Sequence, residues 1–216
     1  MDRGLLEDRK SLFNGISRKI RTRSVTEAMR KVPRERFVPR ESRPMAYADV
    51  ALSIGLGQTI SQPYIVALMT EALGLGGGEK VLDLGTGSGY QAAVLAELLP
   101  AGSVLSVELI PQLAERARSL LRELGYDNVD VREAGPELGC PEQAPFDAII
   151  VAAAAPRLPE ALGEQLAVGG RMVVPVGTLA EQTLVHVLRT EEGISIKMLG
   201  PCRFVPLIGP GAFAKT

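Results

Sequence analysis

Asp83, Gly85, Gly87 and Gly89 stand at every second position in Val81-Leu-Asp-Leu-Gly-Thr-Gly-Ser-Gly-Tyr90, with Thr86 and Ser88 between the glycines. Glycines at that spacing let the main chain turn sharply, and they let a ligand lie against backbone N–H groups with no Cβ in the way. The apolar alternation ahead of them reads as a buried strand, and Gln91-Ala-Ala-Val-Leu-Ala-Glu-Leu-Leu99 is built of strong helix formers. Strand, glycine loop and helix together set the positive end of a helix beside a crevice at the carboxyl edge of a parallel sheet. Nucleotide-like ligands bind there in open α/β folds.

Three chemistries compete for such a loop. A Walker-type phosphate loop needs Gly-Lys-Ser/Thr after four spacers, and no lysine lies between Lys80 and Lys197. A dinucleotide loop is a closer fit, because Gly87-Ser-Gly89-Tyr-Gln-Ala92 matches G-x-G-x-x-A and Glu108 follows about twenty residues on. The third is the acid-x-Gly-x-Gly-x-Gly loop of enzymes that use S-adenosylmethionine (SAM). Asp83 favours it, since a carboxylate at the strand end suits a cationic ligand and repels a pyrophosphate. A nicotinamide-dependent oxidoreductase is the enzyme class the second reading would give.

The other stretch with chemistry in it is Ala46 to Pro63, neither periodic nor charged, with hydroxyl and amide side chains set between glycines. Loops of that kind often line sites. Pro63 suits the first turn of a helix through Leu73 that stops at Gly74, so Ser61 and Gln62 sit at its N-terminus, where a helix cap is the plain alternative role for Ser61.

The elements that must position these residues follow from the pattern. Residues 1–45 are charged and helical in spacing and are expected to form an N-terminal helical cap, with Ser24 to Val32 as one helix stopped by Pro33. Residues 46–216 are expected to form the main domain, a SAM-dependent methyltransferase domain on the third reading of the glycine loop. Beyond the glycine loop the reading is strand Val104–Glu108, helix Pro111–Leu124, strands Val129–Arg132 and Asp147–Ala152, helix Leu158–Leu166 and strand Arg171–Val176. That alternation predicts a doubly wound, Rossmann-like, mainly parallel sheet of the α/β class. Gln182–Leu188, Ile194–Leu199 and Cys202–Leu207 follow without helices and are expected as an antiparallel edge. Glu108 ends the second strand, in reach of the hydroxyls of a bound ribose.

Composition excludes several classes. Lys and Arg together number 24 against 25 for Asp and Glu, so the charge balance gives no footprint for nucleic acid. The longest apolar stretch, Phe146 to Pro156, is too short to span a bilayer and contains Asp147, and the first residues lack a hydrophobic signal core; a cytoplasmic protein is expected. Cys140 and Cys202 with a single histidine, His186, predict neither a zinc site nor a disulfide framework, so no metal is expected.

Six segments occur in one order: Val32-Pro-Arg-Glu-Arg-Phe-Val-Pro39, Ile54-Gly-Leu-Gly-Gln-Thr-Ile-Ser-Gln-Pro63, Val81 to Tyr90, Ala144 to Val151, Gly169 to Gly177 and Arg203-Phe-Val-Pro-Leu207. In this the chain resembles the protein-L-isoaspartate (D-aspartate) O-methyltransferases over roughly residues 25 to 209, the Gly-Gln-Thr-Ile-Ser-Gln-Pro loop being the specific part. The resemblance implies a class I methyltransferase fold, SAM as cofactor with S-adenosylhomocysteine as product, and esterification of the free carboxylate of isoaspartyl and D-aspartyl residues in damaged proteins. It implies Ser61 in catalysis. It places Gln58, Thr59, Ile60, Asp83, Gly85, Thr86, Gly87, Ser88, Glu108, Gly135 and Gln182 around the cofactor, and Ile54, Ser61, Arg203, Phe204 and Val205 around the substrate. A monomer acting on isoaspartyl-containing proteins and peptides is expected; a methyltransferase of one dedicated biosynthetic peptide and a non-catalytic binding homologue are the alternatives. One departure stands out: the family usually has Gly-Asp-Gly after the third strand to hold the adenine, and here the residues are Ala134-Gly135-Pro136. Glu133, Glu137 or main-chain groups are left to take that place.

Overall fold

A computed structural model describes residues 3–214. Helices α1 (Arg3–Ser17) and α2 (Arg23–Lys31) come first, followed by two 3₁₀ turns that end at Met45. Phe13, Ile16, Val25 and Met29 turn their apolar face inward, and Phe13 meets Tyr47 edge to face with ring centroids 6.2 Å apart. The cap therefore shares its core with the chain that follows it.

The segment after the cap is more ordered than its sequence indicates. Strands β1 (Leu52–Gly55) and β2 (Gln58–Ile60) pair as a small antiparallel hairpin, and α3 (Pro63–Leu73) follows at once. Gly55, Leu56 and Gly57 all have positive φ at its tip; a two-residue reversal needs that hand of backbone, and the flanking glycines adopt it without strain. No alternation of apolar residues announces strands this short.

The remainder is β3 (Lys80–Leu84), α4 (Tyr90–Leu98), β4 (Ser103–Glu108), α5 (Pro111–Glu123), β5 (Val129–Glu133), β6 (Phe146–Val151), α6 (Glu160–Glu164), β7 (Leu166–Gly177), β8 (Gln182–Thr190) and β9 (Gly193–Cys202). The sheet order is β5-β4-β3-β6-β7-β8-β9, with the first five strands parallel and the last two antiparallel. This is the doubly wound sheet that the sequence predicts. Alternate residues of the central strands serve two cores: Val81, Val104, Ile150 and Val173 face the helices α1 to α5, and Leu82, Leu105, Ile149 and Met172 face Phe146, Leu162 and Leu207. Strand order reverses at β3, which has β4 on one side and β6 on the other, so the crevice opens at its carboxyl end.

Two expected elements differ. The helix over Leu158–Leu166 is reduced to Glu160–Glu164, because Leu166 already pairs with Phe146 and the Gln165 side chain, bonded to Cys140 N, Leu138 O and Ala161 O, ends the turn. The last expected strand does not form either. β9 stops at Cys202, and residues 205–207 cross to β6's carboxyl end, where Ala154 N–H donates to Val205 O and Leu207 N–H donates to Ala154 O. No helix is long and apolar enough to cross a membrane among the described residues.

Candidate active site

A cavity of about 340 Å³ lies at the carboxyl ends of β3, β4 and β6. Its walls are Gln58 to Ser61 leaving the hairpin, the loop Gly85 to Ser88, Glu108 to Ile110 after β4, Ala134 to Gly139 after β5, the pair Ala152–Ala153, and Val205 to Pro210. The two stretches that carry chemistry in the sequence thus face each other across one space. Gly87, at φ +53°, has Ile54 Cδ1 at 3.6 Å and Gly85 O at 3.8 Å from the place of a Cβ, so the hairpin packs over the glycine loop and leaves room above it. Gly89, at φ +86°, is required twice: a side chain there would also press on Ala117 and Leu121 of α5, at 3.3 Å each.

Glu108 is buried at the cavity wall. One carboxylate oxygen accepts the Gly87 N–H at 2.7 Å and the other the Ile110 N–H at 2.9 Å. Glu108 therefore shapes the glycine loop from β4 while facing the cavity. Ser61 is half-buried, its carbonyl accepts a bond from Arg34 Nη2 at 2.8 Å, and its hydroxyl makes no hydrogen bond among the described residues. Gln62, not Ser61, is the cap residue of α3 and makes no side-chain cap bond, so the capping role open to Ser61 is not taken up.

Asp83 stands elsewhere than its place in the motif indicates. It is fully buried in β3 and does not line the cavity. Its Oδ2 accepts the Ser106 hydroxyl at 2.7 Å, Ser106 Oγ lies 2.6 Å from Thr86 Oγ1, and Oδ1 has no partner. A carboxylate repels a pyrophosphate only where it meets the ligand, and here Asp83 props the glycine loop from below through Ser106 and Thr86. Burial pushes its carboxyl up to about 7 from an ordinary 3.8, against the Ser106 hydrogen bond and with a smaller push from Glu108. A raised acid keeps its proton in the folded chain where the unfolded chain loses it. Its contribution to stability is therefore full below about pH 4 and is lost as pH rises to about 7, by roughly 1.4 kcal/mol per pH unit at most. Asp83→Asn should remove that slope: in urea unfolding at pH 5 and pH 7, wild type should lose on the order of 2 kcal/mol more than the variant. Parallel pH profiles would show that Asp83 does not titrate in this window.

Of the other expected site residues, Thr59, Thr86 and Gly135 line the cavity together with Val205. Ile54, in β1 of the hairpin, points its buried side chain at Gly87 and does not line the cavity. Gln182 is turned away: its amide clamps Phe204, accepting from Phe204 N at 2.6 Å and donating to Phe204 O at 3.1 Å. Arg203 is exposed and off the cavity, and Phe204 N and O, Val205 O and Leu207 N are bonded to Gln182 and Ala154, whereas the Val205 N–H has no hydrogen bond among the described residues. Residues that sequence reasoning missed include Leu109, 46% exposed beside Glu108, and Ala152–Ala153. The signal for the alanines was present in the run Ala152 to Ala155 at the end of a buried strand, since Gly85 brings the glycine loop against Ala152. At the departure from Gly-Asp-Gly, Gly135 has open space around the position of a Cβ, and Glu137 lines the cavity whereas Glu133 does not.

The charged side chains of the lining are Glu108 and Glu137, with no Lys, Arg or His among them. A cavity walled by backbone amides, glycines and acids fits a ligand with hydroxyls and a net positive sulfonium and ammonium. His186 is on β8, held below its ordinary value by burial and by Arg171 and Lys197, and neither cysteine lines the cavity. Among the described residues no group of three or more His, Cys, Asp or Glu is placed to hold a metal ion.

A doubly wound sheet with a glycine loop at its switch point and a buried glutamate closing the neighbouring strand is common to dinucleotide-binding enzymes and class I SAM-dependent methyltransferases, and the relatives of this chain decide for the second. The family model of protein-L-isoaspartate(D-aspartate) O-methyltransferase (PCMT) matches residues 8–211, and the chain belongs to that family. Among similar proteins, the protein-L-isoaspartate O-methyltransferase of Ignicoccus hospitalis is 56% identical over 191 residues, 88% of this chain and 90% of that one. Its namesake from Anaeromyxobacter dehalogenans is 58% identical over 191 residues, 87% of this chain and 90% of its own. A solved protein-L-isoaspartate O-methyltransferase superposes with a TM-score of 0.84 at 30% identity, covering 94% of this chain and 67% of that one. A Plasmodium falciparum structure described as this methyltransferase in complex with S-adenosyl-L-homocysteine superposes with a TM-score of 0.78 at 26% identity, covering 91% and 96%.

Proposed function

We propose that this chain methylates the free carboxylate of L-isoaspartyl and D-aspartyl residues in damaged proteins, with SAM as donor, and so begins their repair. The observation that carries the reading is that the hairpin exit Gln58 to Ser61 and the loop Gly85 to Ser88 wall one cavity in a chain that matches this family over residues 8–211. SAM supplies an electrophilic methyl group on a sulfonium, and a carboxylate, with a reference pKa near ~4, is ionised at neutral pH and needs no base to accept it. The chain's own work is therefore to bind, orient and exclude water. Glu108 and the glycine loop hold the donor side, with Gly135 and Glu137 bordering it where the family's aspartate is absent. The Ser61 hydroxyl, free of other partners, orients the acceptor carboxylate. Apolar Ile60, Val66, Leu138 and Val205 keep the space dry, which strengthens the Ser61 bond.

An isoaspartyl residue carries its α-carboxylate as a branch on a chain rerouted through the β-carbon. The cavity is walled by segments of small and apolar residues, which suits recognition of that branch with little demand on neighbouring side chains. The balance of charge supports a protein and not a nucleic-acid substrate, free Cys140 and Cys202 support a cytoplasmic setting, and a monomer is the expected unit of action. Matched isoaspartyl and aspartyl peptides in several sequence contexts, assayed for tritium transfer from labelled SAM, test the reading. Transfer to the isoaspartyl members in every context, at least about a hundredfold above their aspartyl twins, is expected, as follows when two or more charged hydrogen bonds are misplaced. Transfer to aspartyl peptides alone would assign the chain to a dedicated biosynthetic substrate.

A further inference from the structure

Arg34 is the largest fully buried side chain in the protein, with none of its surface exposed. It belongs to the cap, in the 3₁₀ turn that follows Pro33. Nε donates to Ala46 O at 2.9 Å and Nη2 donates to Ser61 O at 2.8 Å, while the guanidinium carbon stands 4.8 Å from the centre of the Tyr90 ring. Tyr90 is itself buried, opens α4 directly after the glycine loop, and lines the cavity. One cation thus ties together the cap, the exit of the hairpin and the base of the glycine loop.

Packing alone does not account for it. Arg34 forms no salt bridge among the described residues, and Nη1 and the Tyr90 hydroxyl are both buried with no partner beyond each other. Asp49, whose carboxylate accepts the Tyr64 N–H at 2.9 Å, acts on the cation without forming a salt bridge to it, and an apolar side chain of similar volume would fill the space at less cost. The cavity beside it must accept a carboxylate, yet its charged lining side chains are both acids, Glu108 and Glu137. The positive charge stands behind Ser61 and Tyr90 in the cavity wall, and the two-pronged hold on Ala46 and Ser61 fixes the main chain from which the Ser61 hydroxyl projects.

Resting on the methyltransfer reading above, we propose that Arg34 is a positioning residue for the methyl-acceptor carboxylate: it locks Ser61 through the Ser61 carbonyl and makes that end of the cavity electropositive from behind the wall. The N-terminal cap is then part of the acceptor site and not only a cover for the sheet.

The test compares wild type with Arg34→Lys, which keeps the charge but not the fork, and Arg34→Met, which keeps only the volume. Each is assayed for kcat and KM on an isoaspartyl peptide, for S-adenosylhomocysteine affinity by calorimetry, and for methyl transfer in the Ser61→Ala background. Arg34→Met should lower kcat/KM on the peptide at least thirtyfold with cofactor-product affinity within threefold of wild type, and Arg34→Lys should recover part of the loss. In the Ser61→Ala background Arg34→Lys should cost less than threefold, because the group it positions is gone while the Ser61 carbonyl that a structural role would need remains, and Arg34→Met should keep only the smaller part of its cost that comes from lost charge. Equal costs in both backgrounds, or a loss of S-adenosylhomocysteine affinity that matches the loss of transfer, would overturn the proposal. If Arg34→Met fails to fold, Arg34→Lys decides it, wild-type kcat/KM in that variant being the overturning result. A wild-type chain that leaves isoaspartyl peptides unmodified overturns the functional reading together with the inference, whereas active wild type with unaffected variants overturns the inference alone.

Discussion

Glu108→Ala should weaken S-adenosylhomocysteine binding about a hundredfold or more, while the chain stays folded. Two losses combine. The carboxylate that faces the cavity offers a charged acceptor to ligand hydroxyls, and removing one such bond costs about 1.5–3 kcal/mol, or roughly ten- to a hundredfold in affinity. The same carboxylate accepts the Gly87 and Ile110 N–H groups. Truncation therefore also frees the glycine loop from the end of β4 and strands two amide donors, which adds to the cost of ordering the loop around a ligand. Glu108→Gln separates the two effects, because its one carbonyl oxygen can serve one of the amides but not both, and it should fall between wild type and Glu108→Ala. Calorimetric titration of the three proteins with S-adenosylhomocysteine measures both steps. Wild-type affinity in Glu108→Ala would remove Glu108 from the cofactor site, both as acceptor and as loop support; wild-type affinity in Glu108→Gln with a large loss in Glu108→Ala would show that loop support, and not charge, is what the ligand feels.

Much of this arrangement is visible in the chain. Asp83 to Gly89 and Glu108 could be read because a glycine loop between a buried strand and a helix has few physical purposes, and because strand period and helix period alternate cleanly from Val104 to Val176. Ser61 could be placed through Pro63, whose fixed φ marks a helix start. What the sequence hid was direction. Residues two apart on a strand share a face, but nothing in Val81 to Leu84 tells how deep that face is, and so Asp83, with the motif's acid chemistry, turned out to be buried under the loop instead of exposed to the ligand. Gln182 and the segment after Cys202 were hidden for a related reason: their environment is set by residues far off in sequence, Phe204 and Ala154, and side-chain clamps of that range leave no periodic trace. Arg34 is the extreme case. In a cap with many charges it reads as one more solvated cation, and only the packing of three distant segments around it shows otherwise.

Ser61→Ala should lower kcat/KM for isoaspartyl methylation about ten- to a hundredfold, with S-adenosylhomocysteine affinity within about twofold of wild type. The magnitude is that of one hydrogen bond to a charged group, about 1.5–3 kcal/mol, expressed in the transition state because the carboxylate must be held in line for transfer. The substitution is a clean one. Ile60 before it is buried, Pro63 after it opens α3, and the Ser61 carbonyl stays bonded to Arg34, so loss of the hydroxyl leaves the main chain where it was. Because the hydroxyl has no other partner among the described residues, no buried group is left unsatisfied and the melting temperature should hardly move. Steady-state assays on an isoaspartyl peptide, paired with titration and thermal melts, separate the outcomes. Undiminished kcat/KM would remove Ser61 from the chemistry; a matching loss of S-adenosylhomocysteine affinity would move it from the acceptor side of the cavity to the donor side. A loss confined to transfer would fit an enzyme that works by placing an already ionised carboxylate, with no residue needed to activate it.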